Sequence, residues 1–160
     1  MTAIGNINAG GRITASEIRG VAPLAAYKAN SQSVTSSTTL VNDNDLFLAI
    51  PANGVYVIQG AILVTGASAG NIKYTFTIPS GASGNMSSLQ ENTSGTLVLD
   101  GPGVWTATIT GDAAQGIWLY GLLVNSSTAG TLQLQWAQNG SNATPTTVAA
   151  YSYLTAWQIQ

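Results

Sequence analysis

The sequence lacks cysteine and histidine altogether and contains few charged residues. Without cysteine there is no disulfide framework, no thiol nucleophile and no thiolate metal site. Without histidine, the usual general base for a serine nucleophile and the commonest zinc ligand are also missing. Only 6% of the residues are charged, whereas an average domain has about 25%. We therefore expect a protein that is not an enzyme and that binds no metal and no cofactor.

The small net charge of -2 argues against two classes of partner. Nucleic acids and anionic membranes are bound through concentrated positive charge, which this chain does not have. It also has no run of about 18 apolar residues, the length that a membrane-spanning helix requires. Residues 1–24 lack the basic start and apolar block of a signal peptide. We expect neither a nucleic-acid nor a membrane partner.

Two regions of the 160-residue chain differ in glycine content and in the spacing of their apolar residues. Residues 1–30 are rich in glycine and have isolated apolar residues, which are Ile4, Ile7, Ile13, Ile18, Val21 and Leu24. Such a segment cannot build a core of its own. It is predicted to be an N-terminal arm that docks these side chains on a partner, the alternative being a frayed terminus. Residues 31–160 are predicted to form one folded domain.

Alternation of apolar and polar residues dominates the second region. In residues 71–78, Ile72, Tyr74 and Phe76 share one face while Lys73 and Thr75 share the other, which indicates a half-buried strand. Similar strands are expected over 33–40, 46–50, 55–64, 96–99, 105–110, 117–125, 131–138 and 151–159. Tyr74 and Trp136, each on the apolar face of such a strand, are expected in the core and not in a sugar-stacking surface. Many short strands separated by turn residues predict an all-β antiparallel sandwich, and we expect a jelly roll.

The last predicted strand is apolar on both faces. Tyr151, Tyr153 and Trp157 lie on one face, whereas Leu154 and Ala156 lie on the other. A strand that is apolar on both sides and lies near a terminus indicates a contact with another subunit. The predicted oligomer interface consists of Tyr151, Tyr153, Leu154 and Trp157.

Three motifs resemble functional sites. Residues 66–70 fit the G-x-S-x-G pattern of a hydrolase nucleophile, which would be Ser68. A strand follows where that motif needs a helix, so a hairpin turn is favoured.

Asp43 and Asp45 suggest a calcium loop. The glycine and the glutamate that such a loop requires are missing, so a polar turn is favoured over an irregular calcium site. Asp100 and Asp112 flank one predicted strand, which places them too far apart for a glycosidase pair.

Several stretches of the chain resemble virion structural proteins of tailed bacteriophages that infect actinobacteria, and of related prophages. The stretches that carry the resemblance are Arg12–Ala15, Ala22–Leu24, Ser36–Leu40, Asn42–Asp43 and Gly130–Asn139. The resemblance extends over nearly the whole chain.

The resemblance implies a small jelly roll similar to the tumour-necrosis-factor and complement globular-head fold, assembled as a homotrimer on a phage particle. A single head with a short arm is typical of a capsid decoration protein, which would bind the phage major capsid protein on the outer surface of the shell. The alternative is a tail-fibre or baseplate head domain that binds host cell-surface carbohydrate.

Overall fold

In the computed structural model the chain folds as two antiparallel sheets packed into a sandwich. The structure describes residues 22–90, 93–98, 105–107 and 115–160, and gives only the backbone of 93–98 and 105–107. The apolar arm residues Ile4, Ile7, Ile13, Ile18 and Val21 lie outside the described residues, as do Asp100 and Asp112. The expectation of an all-β sandwich is confirmed, while the jelly-roll connectivity stays a prediction.

Within the described residues there are twelve strands. They are β1 (Leu24–Tyr27), β2 (Gln32–Val34), β3 (Val41–Ile50), β4 (Val55–Thr65), β5 (Ile72–Thr77), β6 (Ser83–Gln90), β7 (Thr93–Val98), β8 (Trp105–Ala107), β9 (Gln115–Val124), β10 (Gly130–Ala137), β11 (Thr146–Val148) and β12 (Tyr153–Gln158). One sheet has the order β1-β12-β4-β9-β6-β7, with β11 pairing both β2 and β4. The other has the order β3-β10-β5-β8.

The core lies between the two sheets, where inward-facing side chains of both layers meet. Alternation places every second residue of β3, β4, β5, β9 and β10 there. The largest fully buried side chain is Trp136, and Tyr56 and Tyr74 are buried with it. The prediction that Trp136 and Tyr74 belong to the core and do not form a sugar-stacking surface is thereby confirmed. Burial of such aromatic side chains contributes much of the stability of a sandwich.

The body of the protein begins earlier than residue 31. Strand β1 pairs with β12, so that Leu24 lies opposite Ala156, and Leu24 packs against the core. Lys28 is completely buried. These residues belong to the sandwich, and the arm before residue 22 stays a prediction. Composition did not reveal this short strand because its sequence, LAAY, does not alternate.

One predicted connection also differs in the structure, and a second connection of the same kind accompanies it. The turn at residues 66–71 joins β4 of the larger sheet to β5 of the smaller one, so it crosses between the layers and is not a hairpin. The residues 125–129 make the same kind of crossing from β9 to β10. The chain therefore changes sheets at both connections.

Candidate functional site: an apolar sheet face and a buried ion cluster

The eight-stranded sheet has an apolar surface on the side that faces away from the core, which we call the outer face. It is built by the alternate residues of β12, β4, β9 and β6 that do not enter the core. One aligned row crosses five strands and consists of Tyr27, Tyr153, Ala61, Trp118 and Leu89. Adjacent strands lie about 4.8 Å apart, so neighbours in such a row are in contact range.

Large side chains remain accessible on the outer face. Trp118 is 54% exposed, Trp157 46% and Tyr120 45%. In a second row Trp157 lies opposite Val57, which lies opposite Leu122. Strands β4 and β9 are consequently apolar on both faces, because their other residues fill the core. Polar residues interrupt the face at Gln59, at Thr155 and on most of β6. Single exposed apolar residues are ordinary, whereas a cluster of this many large exposed apolar residues indicates a surface that another molecule covers.

The opposite surface of the sandwich has a different composition. The outward residues of β3, β10 and β5 are mostly polar, and include Asn42, Thr131, Gln133, Gln135, Lys73, Thr75 and Thr77. Gln135 donates to the Asn42 side chain at 2.7 Å, which makes a polar cross-strand pair. Phe47, 48% exposed, is a large apolar exception on this side. Among the side chains that the structure describes, those of the outer face of the eight-stranded sheet have the composition of a contact region.

Three of the four charged residues that the structure describes meet in the interior. The Lys28 ammonium donates to Asp43 Oδ1 at 2.8 Å and to Asp45 Oδ2 at 3.2 Å. It also donates to Gln32 Oε1 at 3.3 Å. The side chains of Lys28 and Asp43 are 0% exposed, and that of Asp45 is 35% exposed. Lysine and aspartate are almost never fully buried unless they are paired, and here each is the partner of the other.

Asp43 lies in an irregular part of β3. The register of the β3–β10 ladder shifts between Gln133 and Gln135, which leaves extra β3 residues opposite that point. Asp43 Oδ1 accepts the backbone N–H groups of Asp45 and Leu46, each at 3.0 Å. Its Oδ2 accepts the indole N–H of Trp136 at 3.1 Å. The bulge therefore turns the Asp43 carboxylate into the sandwich, where it is saturated with donors.

This arrangement corrects the prediction of a polar turn at Asp43 and Asp45. Both residues lie within strand β3, and a lysine ammonium occupies the position between their carboxylates. No group of three or more acidic, histidine or cysteine side chains that could hold a metal ion occurs within residues 22–90 and 115–160. The alternation beside Asp43 gave no sign of its burial, because the bulge interrupts that alternation.

Ser68 lies in the exposed crossover turn. The turn is closed by hydrogen bonds from the backbone N–H groups of Gly70 and Asn71 to the Ala67 carbonyl, at 2.9 and 3.1 Å. Strand β5 follows directly, as predicted, and Asn71 takes the left-handed conformation with φ 49°. Gly70 does not take a positive φ. Its carbonyl accepts the backbone N–H groups of residues 139 and 140. The geometry is that of a structural turn.

The residues predicted to form an oligomer interface do not all reach the surface. Tyr151 is 82% exposed, and Tyr153 and Trp157 lie on the outer face. Leu154 is completely buried in the core cluster, facing the other sheet. The outer face also includes Trp118, Tyr120 and Leu122, which the sequence interpretation missed. Strand β9 has large apolar residues on both of its faces, and this pattern in the sequence could have identified them.

Comparisons with solved structures give only distant likenesses. No protein-family model and no curated protein matches the sequence. Among solved structures, the chain is similar to the tripod (BppUct-A-L) from the baseplate of bacteriophage Tuc2009, at 12% identity and a TM-score of 0.31. The match covers 98% of this chain and 75% of that one. No helix among the described residues is long and apolar enough to span a membrane.

Proposed function

We propose that the protein is a non-enzymatic structural subunit of a tailed-phage particle, and that it assembles as a homotrimer through the outer face. The observation that carries the proposal is the exposed aromatic and aliphatic surface of β12, β4 and β9, to which β6 adds Leu89. Its connection with phages and the choice of a trimer come from the resemblance of the sequence to virion structural proteins. The face supplies the physical reason for assembly.

The size of the outer face supports a stable contact. A tryptophan or tyrosine side chain presents about 150–250 Å² when fully accessible, so the exposed fractions of Trp118, Trp157, Tyr120 and Tyr153 leave roughly 300–400 Å² of aromatic surface. Leu122, Val124 and Leu89, each 40–47% exposed, extend it. A standard interface buries about 800 Å² per partner. The aromatic residues alone would supply close to half of that area.

The outer face also has the chemistry of an interface core. No charged residue lies among its outward positions on β1, β12, β4, β9 and the described β6. Interface cores are depleted in charged side chains and enriched in tryptophan and tyrosine. Water leaves such a surface without any cost of desolvating an ion, so association is favourable.

A pair of substitutions tests the contact. Trp118→Glu places a charge at the centre of the outer face, and burying it in a trimer would cost about 2 kcal/mol or more per subunit. Phe47→Glu is the matched control, since Phe47 is comparably exposed but lies on the polar sheet. We expect trimer mass for the parent and for Phe47→Glu, and monomer for Trp118→Glu, in native mass spectrometry or light scattering. A parent protein that is monomeric at high concentration would refute the homotrimer.

On the particle, we place the trimer on the capsid surface, bound to the major capsid protein through the arm residues Ile4, Ile7, Ile13 and Ile18. Immunogold labelling or imaging of intact particles tests this position. Label over the whole head supports decoration, and label confined to the tail tip supports the tail-fibre or baseplate alternative. Absence of the protein from purified particles would refute the phage role itself.

One observation favours the carbohydrate-binding alternative. Tyr27 and Tyr151 are 71% and 82% exposed, and Tyr151 has φ 71°, which is unusual for a bulky residue. The Tyr151 N–H donates to the Lys28 carbonyl, which holds Tyr151 beside the end of β1. Sugar rings stack on accessible aromatic rings of this kind. Glycan-array binding that is lost in Tyr151→Ala, with the trimer intact, would support a receptor-binding head over a decoration protein.

A further inference from the structure

A buried amine, a buried carboxyl group and a second carboxylate meet at Lys28. Lys28 Nζ lies 2.8 Å from Asp43 Oδ1 and 3.2 Å from Asp45 Oδ2. The side chains around this contact exclude bulk water, because Lys28, Asp43, Leu46 and Trp136 are all at most 1% exposed. An amine that is held against a carboxyl group away from bulk water can condense with it readily. The two groups are already in contact, so the reaction does not require two separate molecules to meet.

The hydrogen bonds at Asp43 are those that such a reaction needs. Oδ1 accepts two backbone N–H groups, from Asp45 and Leu46, and Oδ2 accepts the Trp136 indole N–H. Donors fixed at 3.0–3.1 Å polarise the carboxyl carbon and stabilise negative charge that develops on its oxygens during nucleophilic attack. The role is that of an oxyanion hole formed by a strand bulge and an indole.

We propose that Lys28 and Asp43 are a modification site at which the two side chains condense to form an intramolecular amide bond, with Asp45 as the proton carrier. A proton passes from the Lys28 ammonium to the Asp43 carboxylate by way of Asp45, which leaves a neutral amine and a neutral carboxylic acid. The Nζ lone pair then forms a bond to Asp43 Cγ, and the carbonyl electron pair moves onto Oδ1.

The second half of the reaction releases water. Asp45 takes another proton from Nζ and delivers it to the Asp43 hydroxyl, whose bond to Cγ breaks with the electron pair leaving on oxygen. The nitrogen thereby loses two protons, both of which leave in one water molecule, and no oxidant or co-reactant is required. Asp45 is suited to this role because it contacts Nζ while its side chain is 35% exposed, which gives the released water a route to solvent.

The bond would connect the two layers of the sandwich. Lys28 directly follows β1, at the edge of the eight-stranded sheet, and Asp43 lies on β3, at the edge of the other sheet. An amide between them holds these edges together even when the ladder hydrogen bonds are under load. In a subunit on the surface of a particle, such a bond would keep the two sheets from separating. The inference does not depend on the proposed function.

The mass of the denatured full-length protein tests the bond directly. We expect an intact mass lower than that of the sequence by one water molecule. Trypsin should then cleave the denatured chain after Lys73 but not after Lys28, because an amide removes the charge that trypsin recognises. The product would be a single peptide of residues 20–73, lighter by one water. A full mass and complete cleavage after Lys28, in protein kept folded for days, would show a plain ion pair and overturn the proposal.

Three variants identify the participants. Lys28→Met should have its full sequence mass, because it has no amine at this position. Asp43→Asn should lose the mass of ammonia and not that of water, since its amide nitrogen becomes the leaving group. Asp45→Asn should keep its fold yet retain its full mass after purification. Loss of water from Asp45→Asn as complete as in the parent would overturn the role of Asp45, and loss of water from Lys28→Met would overturn the site.

Discussion

At the scale of single residues, the polar atoms of the large aromatic side chains in the core are hydrogen-bonded. The Trp136 indole lies in the centre of the sandwich and its N–H reaches Asp43. The Tyr74 hydroxyl donates to Ser88 Oγ at 2.8 Å, also inside the core. An unpaired buried polar group costs about 1–3 kcal/mol, so these pairs allow large aromatic side chains to be used deep in the sandwich.

Tyr74 makes the stability dependent on alkaline pH. Burial raises the pKa of Tyr74 above its ordinary value of 10.0, and the hydrogen bond with Ser88 lowers it in part. The folded protein therefore holds this proton more tightly than the unfolded chain does. The contribution is fully present below pH 10 and is lost as the pH rises through the higher folded pKa.

Substitution of Tyr74 tests this linkage. Tyr74→Phe should lower stability by about 1 kcal/mol near neutral pH, through the lost hydrogen bond. Its melting temperature should then fall less steeply above pH 10 than that of the parent, because one buried titrating group is gone. Tyr151→Phe, at an exposed position, is the control and should keep the parent slope. Identical slopes for all three proteins would contradict the assignment.

At the scale of elements, β4 and β9 form the centre of the larger sheet. They pair over ten consecutive residues from Val55–Val124 to Val64–Gln115. Each supplies one face to the core and the other to the outer face, so packing against the other sheet fixes one side, and the proposed assembly would cover the other. Strand β1 at the edge has a different role, since it brings Lys28 to Asp43.

Two truncations separate the arm from this edge. Deletion of residues 1–21 should leave the melting temperature nearly unchanged and abolish rebinding to particles that lack the native protein. Deletion of residues 1–28 also removes β1 and leaves Asp43 buried without its partner, which should cost about 3–5 kcal/mol more. Thermal melts and co-sedimentation check both. Equal stability of the two truncated proteins would contradict the structural role of Lys28, and undiminished rebinding of either would exclude the arm as the anchor.

At the scale of the whole molecule, the two surfaces of the sandwich differ in chemistry. One is polar and the other is the apolar outer face, and the described charges are concentrated in the interior. Association through a surface without charges depends on the removal of apolar area from water. It should therefore be insensitive to the screening that weakens contacts between exposed ions.

The dependence of trimer dissociation on salt concentration tests this expectation. Between about 0.05 and 1 M sodium chloride the Debye length falls from above 10 Å to about 3 Å, which would weaken an electrostatic contact strongly. We expect the trimer dissociation constant, measured by sedimentation, to stay within about threefold over that range, and to decrease in sodium sulfate. A rise of tenfold or more in sodium chloride would show that charged residues, and not the outer face, hold the subunits together.

The sequence alone determined the fold class and most of the strands. Alternation in residues 71–78 and 131–138 predicted β5 and β10 to within one residue at each end, because one buried face imposes a period of two. It also predicted Trp136 and Tyr74 in the core. Three strands were missed, which are β1, β6 and β11. They are short, or rich in serine and glycine, so no apolar face marks them.

Where the sheets divide and which surfaces they expose depends on contacts between strands that are distant in the sequence. A turn between two strands has the same composition whether it closes a hairpin or crosses to the other layer, so residues 66–71 could not reveal the crossing. The outer face likewise depends on strands far apart in sequence becoming neighbours, as Trp118 and Tyr153 do on either side of Ala61. The burial of Lys28 depends on Asp43, fifteen residues away, because only a partnered charge can leave water.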